Sequence, residues 1–238
     1  MIATGSTSHR SHHARSYAHA LPSPPAGIEH QAYRDFATAP KMALAEHYLA
    51  AHQLGPRSTA TARGAAIDVL ASAGERVDEV VAHIHDLWSE QVFRRAHARP
   101  GLRQNRFLKP LPEFTDVERD FELTLAAMDL RSMLSAAVDV FRLAPSETVP
   151  GRPAPESVLR VLAGLCTDRT YLRRVMRAIH QNWLDARELH GLRDTGQTGY
   201  RQLSDAQRRE LLANARADIL AVLVYATGAP VSPGPTTL

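Results

Sequence analysis

Apolar residues recur at three- and four-residue steps through most of this chain, and no run alternates at the two-residue step of a half-buried strand. Over 76–97, Val77, Val80, Val81, Ile84, Leu87, Trp88 and Val92 draw one stripe down a helix. Thr115, followed three residues later by Glu118, has the form of a capping box. It opens a run through Phe121, Leu125, Met128, Met133, Leu134, Ala137, Val138 and Phe141 that Pro145 closes. A short segment over 156–165 carries Val158, Leu159, Val161, Leu162 and Leu165. Asp168 then stands where it can cap a longer helix through Tyr171, Leu172, Val175, Met176, Ile179, Trp183 and Leu184. Ser204 with Gln207 begins a last helix that carries Leu211, Leu212, Ile219, Leu220, Leu223 and Tyr225 and meets a stop at Gly228. Helices near 29–54 and 58–73 complete the set. The pattern predicts an all-α bundle of about six to eight helices.

Residues 1–27 and 228–238 are polar or rich in Pro and Gly and have no apolar period, which predicts disordered tails around a single helical domain over 28–227. A chain of 238 residues is long enough to bury a sizeable core. No apolar run approaches the ~18–20 residues of a membrane span, and the first 27 residues lack the apolar core of a secretory signal. The single cysteine, Cys166, allows no internal disulfide and fits a reducing compartment, so the cytoplasm is the expected location. Cys166 also shares an apolar stripe with Leu162 and Leu165, which reads as a buried, inert thiol. His9, His12, His13 and His19 lie on the N-terminal tail, where a metal site would first have to overcome the entropy of ordering the chain.

Charge adds little. The sequence pI of about 9.3 rests on arginine, since Lys41 and Lys109 are the only lysines, and the formal net charge is only +3. That field is too weak to argue for nucleic acid, and most arginines read as solvated helix faces. The arginine skew with abundant alanine is what a GC-rich coding sequence produces, and it suits a bacterial origin.

Two strings carry candidate chemistry. The first is Asp86-Leu87-Trp88-Ser89-Glu90-Gln91-Val92, just after His83 and His85. Two residues apart on a helix, those imidazoles point roughly 200° from each other, so only one faces a given pocket. His83 follows the apolar stripe more closely, and His85 falls toward the polar side. The second string is Thr195-Gly196-Gln197-Thr198-Gly199-Tyr200, after His180 and His190, a loop rich in glycine and hydroxyls that also suits a plain turn between helices 168–192 and 204–226. Trp88 and Trp183 serve equally well as core anchors.

The DLWSEQV string resembles the Glu-Leu-Trp-x-x-Gln-hydrophobic segment that follows the distal-side histidine in the tryptophan 2,3-dioxygenase superfamily of haem-dependent oxygenases. In the same order along the chain, TGQTGYRQL resembles that family's Thr-Gly-Gly-Ser/Thr-Ser-Gly loop, and His180 precedes Thr195 by about the family's interval. The resemblance covers about 35 of the 238 residues. It implies a compact, divergent member with haem as cofactor and an aromatic, amino-acid-like molecule with O2 or peroxide as substrates. His180 would be the axial iron ligand, with His190 as the alternative and Trp88 beside the cofactor. His83, or failing that His85, would serve as the distal-side catalytic histidine. Thr195, Gly196 and Thr198 would hold the substrate's charged end. A homo-oligomer would suit the long helices and short loops, and no nucleic-acid or membrane partner is expected. The alternative from another class is a non-enzymatic helical interaction protein such as a bacterial effector. Spatial convergence separates the two, because only the enzyme needs His180 or His190, a distal-side histidine and the 194–200 loop around one cavity of haem size.

Overall fold

The computed structural model describes residues 47, 49–50, 59–96, 107–143, 155–192 and 198–228. Among them lie six α-helices and no strand, as the periodicity predicts: α1 (Ala60–Glu75), α2 (Val77–Ala96), α3 (Asp116–Phe141), α4 (Pro155–Leu165), α5 (Arg169–Leu189) and α6 (Asp205–Ala226). Single 3-10 turns, Leu111–Glu113 and Tyr200–Gln202, precede α3 and α6. The helix expected near 29–54 is represented only by His47, Leu49 and Ala50, which are helical. The rest of it, the tail over 1–27 and all of the C-terminal tail after Gly228 lie outside the described residues. None of the described helices is long and apolar enough to cross a membrane.

The helix starts follow local chemistry. The N–H of Glu118 donates to Thr115 Oγ1 over 3.3 Å while the N–H of Thr115 donates to Glu118 Oε2 over 2.8 Å, the reciprocal pair of a capping box. Ser204 and Gln207 repeat it at 3.3 and 2.8 Å, and Asp168 Oδ1 accepts the N–H of Tyr171 at 2.7 Å. Thr59 caps α1 through Ala62. α3 stops at Phe141, earlier than Pro145 suggested, because Arg142 turns left-handed (φ 54) and returns its N–H to the Val138 carbonyl.

α6 is the centre of the bundle. Ala215 and every residue from Ala217 to Val224 are buried, so the C-terminal half of this helix meets protein on all sides rather than along one stripe. It packs most extensively on α2 and also on α5, α4 and α1, while α3 packs on α5 and α1. Alanines 66, 73, 137, 215, 217 and 221 are fully buried and let the helices approach closely. Enlarging any of them costs about 1–3 kcal/mol through overpacking. The main core is Leu70, Val80, Leu87, Leu130, Met133, Leu162, Val175, Ile219, Leu223 and their neighbours. A second cluster gathers Phe107, Phe114, Phe121, Trp183 and Ala186, with Trp88, Leu125, Met128 and Leu192 packed against it.

Candidate functional site

The second cluster is where the histidines meet. His85 is 1% exposed, and its Nε2–H donates to the Lys109 carbonyl over 2.8 Å. Its ring meets the Phe114 ring edge-on at 4.9 Å and lies 5.8 Å from that of Trp88. This corrects the expectation that His85 turns toward the polar side: segment 107–114 folds over that face of α2 and covers it. His83, two residues earlier, is buried as well. Because α2 has protein on both flanks, opposite orientations lead both imidazoles into the interior, and His85 joins the aromatic cluster.

His180, on α5, is buried, and its Nε2–H donates to the backbone carbonyl of Thr198 over 2.9 Å. Its ring stacks at 6.3 Å on Trp183, which helical spacing places on the same face, and lies 6.2 Å from Tyr200. Above Trp183, at 4.8 Å, sits the Arg187 guanidinium. Arg187 departs from the expectation of solvated arginines: it is 2% exposed and donates Nε and Nη2 to the Leu192 carbonyl. His190 caps the end of α5. It meets the Phe121 ring edge-on at 5.5 Å, with Thr124 Oγ1 3.4 Å from Nε2 and Asp120 Oδ2 3.8 Å from Nδ1.

Both sequence strings therefore reach one aromatic cluster: His85 and Trp88 from α2, His180 and Trp183 from α5, His190 through Phe121, and Thr198 through its carbonyl. Thr195 and Gly196 lie outside the described residues. A ring nitrogen facing a carbonyl must carry the proton, so Nε2 of both His85 and His180 is a donor. Histidines that ligate metals commonly donate their other ring N–H to just such a carbonyl. Among the described residues no group of three or more His, Cys, Asp or Glu side chains is placed to hold a bare metal ion.

Two buried polar arrangements escaped the sequence reading. Lys109 Nζ donates to Glu118 Oε2 over 2.8 Å inside the fold and lies 5.3 Å from the Phe114 ring centre, while the same carboxylate oxygen accepts from the Thr115 N–H and hydroxyl. Farther along α3 stand Glu122 and Asp129, opposed by Asp218 from α6. Glu118, Glu122 and Asp129 are four and seven residues apart, which aligns them on one face of α3 within about 40°. Asn182 of α5 donates Nδ2 to Asp129 Oδ1 at 2.8 Å and to Ser132 Oγ at 3.0 Å.

Burial and mutual repulsion disfavour ionisation of these carboxyls. Glu122 is pushed up to about 7 by desolvation and then by Asp218 and Glu118. Asp218 rises to about 7 by desolvation. Asp129 is held well above the carboxylate range by burial and by Asp218, which the Asn182 hydrogen bond only partly offsets. The one signal in the sequence was Asp218 itself, a carboxylate directly before the apolar run Ile219–Val224. Cys166 is buried and its thiol is pushed up to about 12 by desolvation, in keeping with an inert role.

Compared with protein families, curated proteins and solved structures, the chain matches none of them.

Proposed function

We propose that this chain is a haem-dependent oxygenase acting on an aromatic, amino-acid-like substrate, with His180 as the axial ligand. The observation that carries the reading is the meeting of two distant strings on one cluster: His85 with Trp88, and His180 with Trp183, around Phe107, Phe114 and Phe121. Each residue has a task there. The Thr198 carbonyl fixes the tautomer and rotation of His180, and Trp183 supports its ring face. Trp88, Phe107, Phe114 and Phe121 supply apolar walls that exclude water from a planar ligand. His85, anchored at Nε2 by the Lys109 carbonyl, would be the distal-side histidine beside the substrate. Thr195, Gly196 and Thr198 would close on the substrate's charged end, and His190 and His83 are the alternative ligand and the alternative distal histidine. When bound, haem would supply the chemistry of O2 or peroxide, and the protein would orient and enclose it. We assign the protein to the cytoplasm, where a lone buried thiol is at home.

The test is an absorption titration of the purified chain with haemin, alongside His180→Ala and His190→Ala, with circular dichroism to verify folding. A Soret band that saturates at one haem per chain, shifts in His180→Ala and persists in His190→Ala is the expected result. Absence of saturable haem binding by the folded wild type would overturn the reading.

A further inference from the structure

We propose that exposed arginines of α5 and α6 form a sequence-independent docking ridge for single-stranded nucleic acid. This inference is independent of haem and concerns side chains to which the oxygenase reading gives no task.

Arg169, Arg173 and Arg177 are all exposed and follow one another at four-residue steps on α5. Each step advances about 6 Å along the helix and about 40° around it, so the three guanidinium groups stand on one ridge about 12 Å long. α6 packs beside α5 and extends the ridge at both ends. At one end Arg216 Nε donates to the carbonyl of Cys166, just ahead of α5, over 3.1 Å. At the other, the Arg177 guanidinium lies 5.7 Å from the Tyr200 ring centre, and Arg208 Nη2 donates to the neighbouring Arg201 carbonyl over 3.2 Å. Arg201, Arg208 and Arg216 are exposed as well.

The fold does not cancel this charge. Arg174, next to the ridge, turns to Asp139 of α3 at 2.6 Å. Among the described residues, Arg169, Arg173, Arg177 and Arg201 have no such carboxylate, and Arg208 reaches only Asp205, at 4.0 Å. Asp168, beside Arg169 in sequence, is taken by the N–H of Tyr171 at 2.7 Å. Like charges four residues apart destabilise a helix, so the repeated arginine costs stability unless an anion lies across it.

A formal net charge of +3 gave no reason to expect a polyanion, but net charge says nothing of placement. With a pI of about 9.3, cations gathered on one face are the electrostatic footprint of a nucleic-acid surface. Guanidinium groups match phosphate oxygens with paired N–H donors. Two observations favour a single strand over a duplex. α5 buries Tyr171, Leu172, Val175 and Ile179 and has α6 alongside, so it presents an edge and cannot enter a major groove as a recognition helix does. An extended strand needs only a charged track and an aromatic ring for its bases, and Tyr200 stands half-buried at the end of the ridge.

The experiment is fluorescence anisotropy of an end-labelled oligothymidylate of about 20 nucleotides, titrated with the haem-free full chain. Saturable binding is expected, its log affinity falling linearly against log salt with a slope of about 3–4, as for about five phosphates neutralised on a single strand. Arg173→Glu reverses the central charge of the ridge and should lose about tenfold or more in affinity. Arg119→Glu makes the same change in net charge about 30 Å along α3 from Asp139, and should stay within about twofold of the wild type. Both positions are exposed, so circular dichroism should find both variants folded. The proposal is overturned if the wild type shows no saturable binding, if Arg173→Glu binds as the wild type does, or if Arg119→Glu loses as much as Arg173→Glu. It is overturned equally if a duplex of the same length binds as tightly, if polyglutamate competes as well as unlabelled oligothymidylate, or if vesicles containing phosphatidylserine bind and the oligonucleotide does not. Haem binding without oligonucleotide binding would leave the oxygenase reading standing and this one refuted.

Discussion

The imidazole of His180 and the backbone carbonyl of Thr198 are joined by a 2.9 Å hydrogen bond that ties α5 to the segment leading into α6. Because the acceptor belongs to the backbone, the link can be cut only from the histidine side. His180→Ala should lower the unfolding free energy by about 2–4 kcal/mol, from the lost bond and the space left beside Trp183. Amide exchange at Tyr200–Gln202 should accelerate more than exchange in the centre of α6. Equal acceleration in both places would show that the bond does not hold this segment.

The interior carboxylates give stability an unusual pH dependence. Their folded-state values, about 7 for Glu122 and Asp218, lie above the ordinary 4.5 and 3.8, so between those limits the folded chain binds more protons than the unfolded one. Their contribution is therefore fully favourable below about pH 4, declines as the pH rises, and is lost once it passes about 7. Each tenfold displacement of a proton equilibrium is worth about 1.4 kcal/mol, so urea unfolding should show a decline of a few kcal/mol from about pH 5 to about pH 8. Asp218→Asn should flatten that slope and raise stability at the alkaline end. A wild-type stability that rises over the same interval would contradict the burial of these groups.

Lys109 and Glu118 form an ion pair in a low-dielectric setting, where removing one partner costs more than removing both. Lys109→Met should destabilise the fold by about 3–5 kcal/mol, because Glu118 then keeps its charge with only the Thr115 donors and its remaining local contacts. Adding Glu118→Gln, which retains the reach of the cap, should restore part of that loss. Chemical denaturation of the two variants decides the matter, and additivity would argue against the pair.

Arg142 ends α3 at φ 54, a conformation that favours glycine. Arg142→Gly should stabilise the protein by about 0.5–1 kcal/mol, seen as a rise of about 1–4 °C in melting temperature. A fall would mean that the arginine side chain contributes more than the backbone strain costs.

The thiol of Cys166 should resist an aromatic disulfide reagent at about pH 8 in the native chain and react fully once unfolded, as its burial and its value near 12 imply. Rapid native labelling would reveal opening of the α4–α5 corner.

What the sequence made legible was local. The caps at Thr115, Asp168 and Ser204 depend on residues three positions apart, so their letters alone suffice. His85 was harder. A helical projection sees only α2, and the group that buries this ring and accepts its proton arrives from Lys109, across a connector with no periodicity. The carboxylates were harder still. Glu122 and Asp129 look like ordinary charges on a long helix until α6 brings Asp218 and α5 brings Asn182 against them. The meeting of Trp88 and Trp183 at one aromatic cluster was not legible at all, because the two residues lie on helices far apart in the chain and each alone reads as a core anchor.

The central helix also sets an order of events during synthesis. α6 follows every other described helix in the chain, so α1 to α5 leave the ribosome before the element they surround has been made. Until residues 205–226 emerge, the faces of α2, α4 and α5 that will cover Ile219 and Leu223 have only one another, or a chaperone, to shield them. Folding of this chain is therefore completed from the inside, by the arrival of its core last.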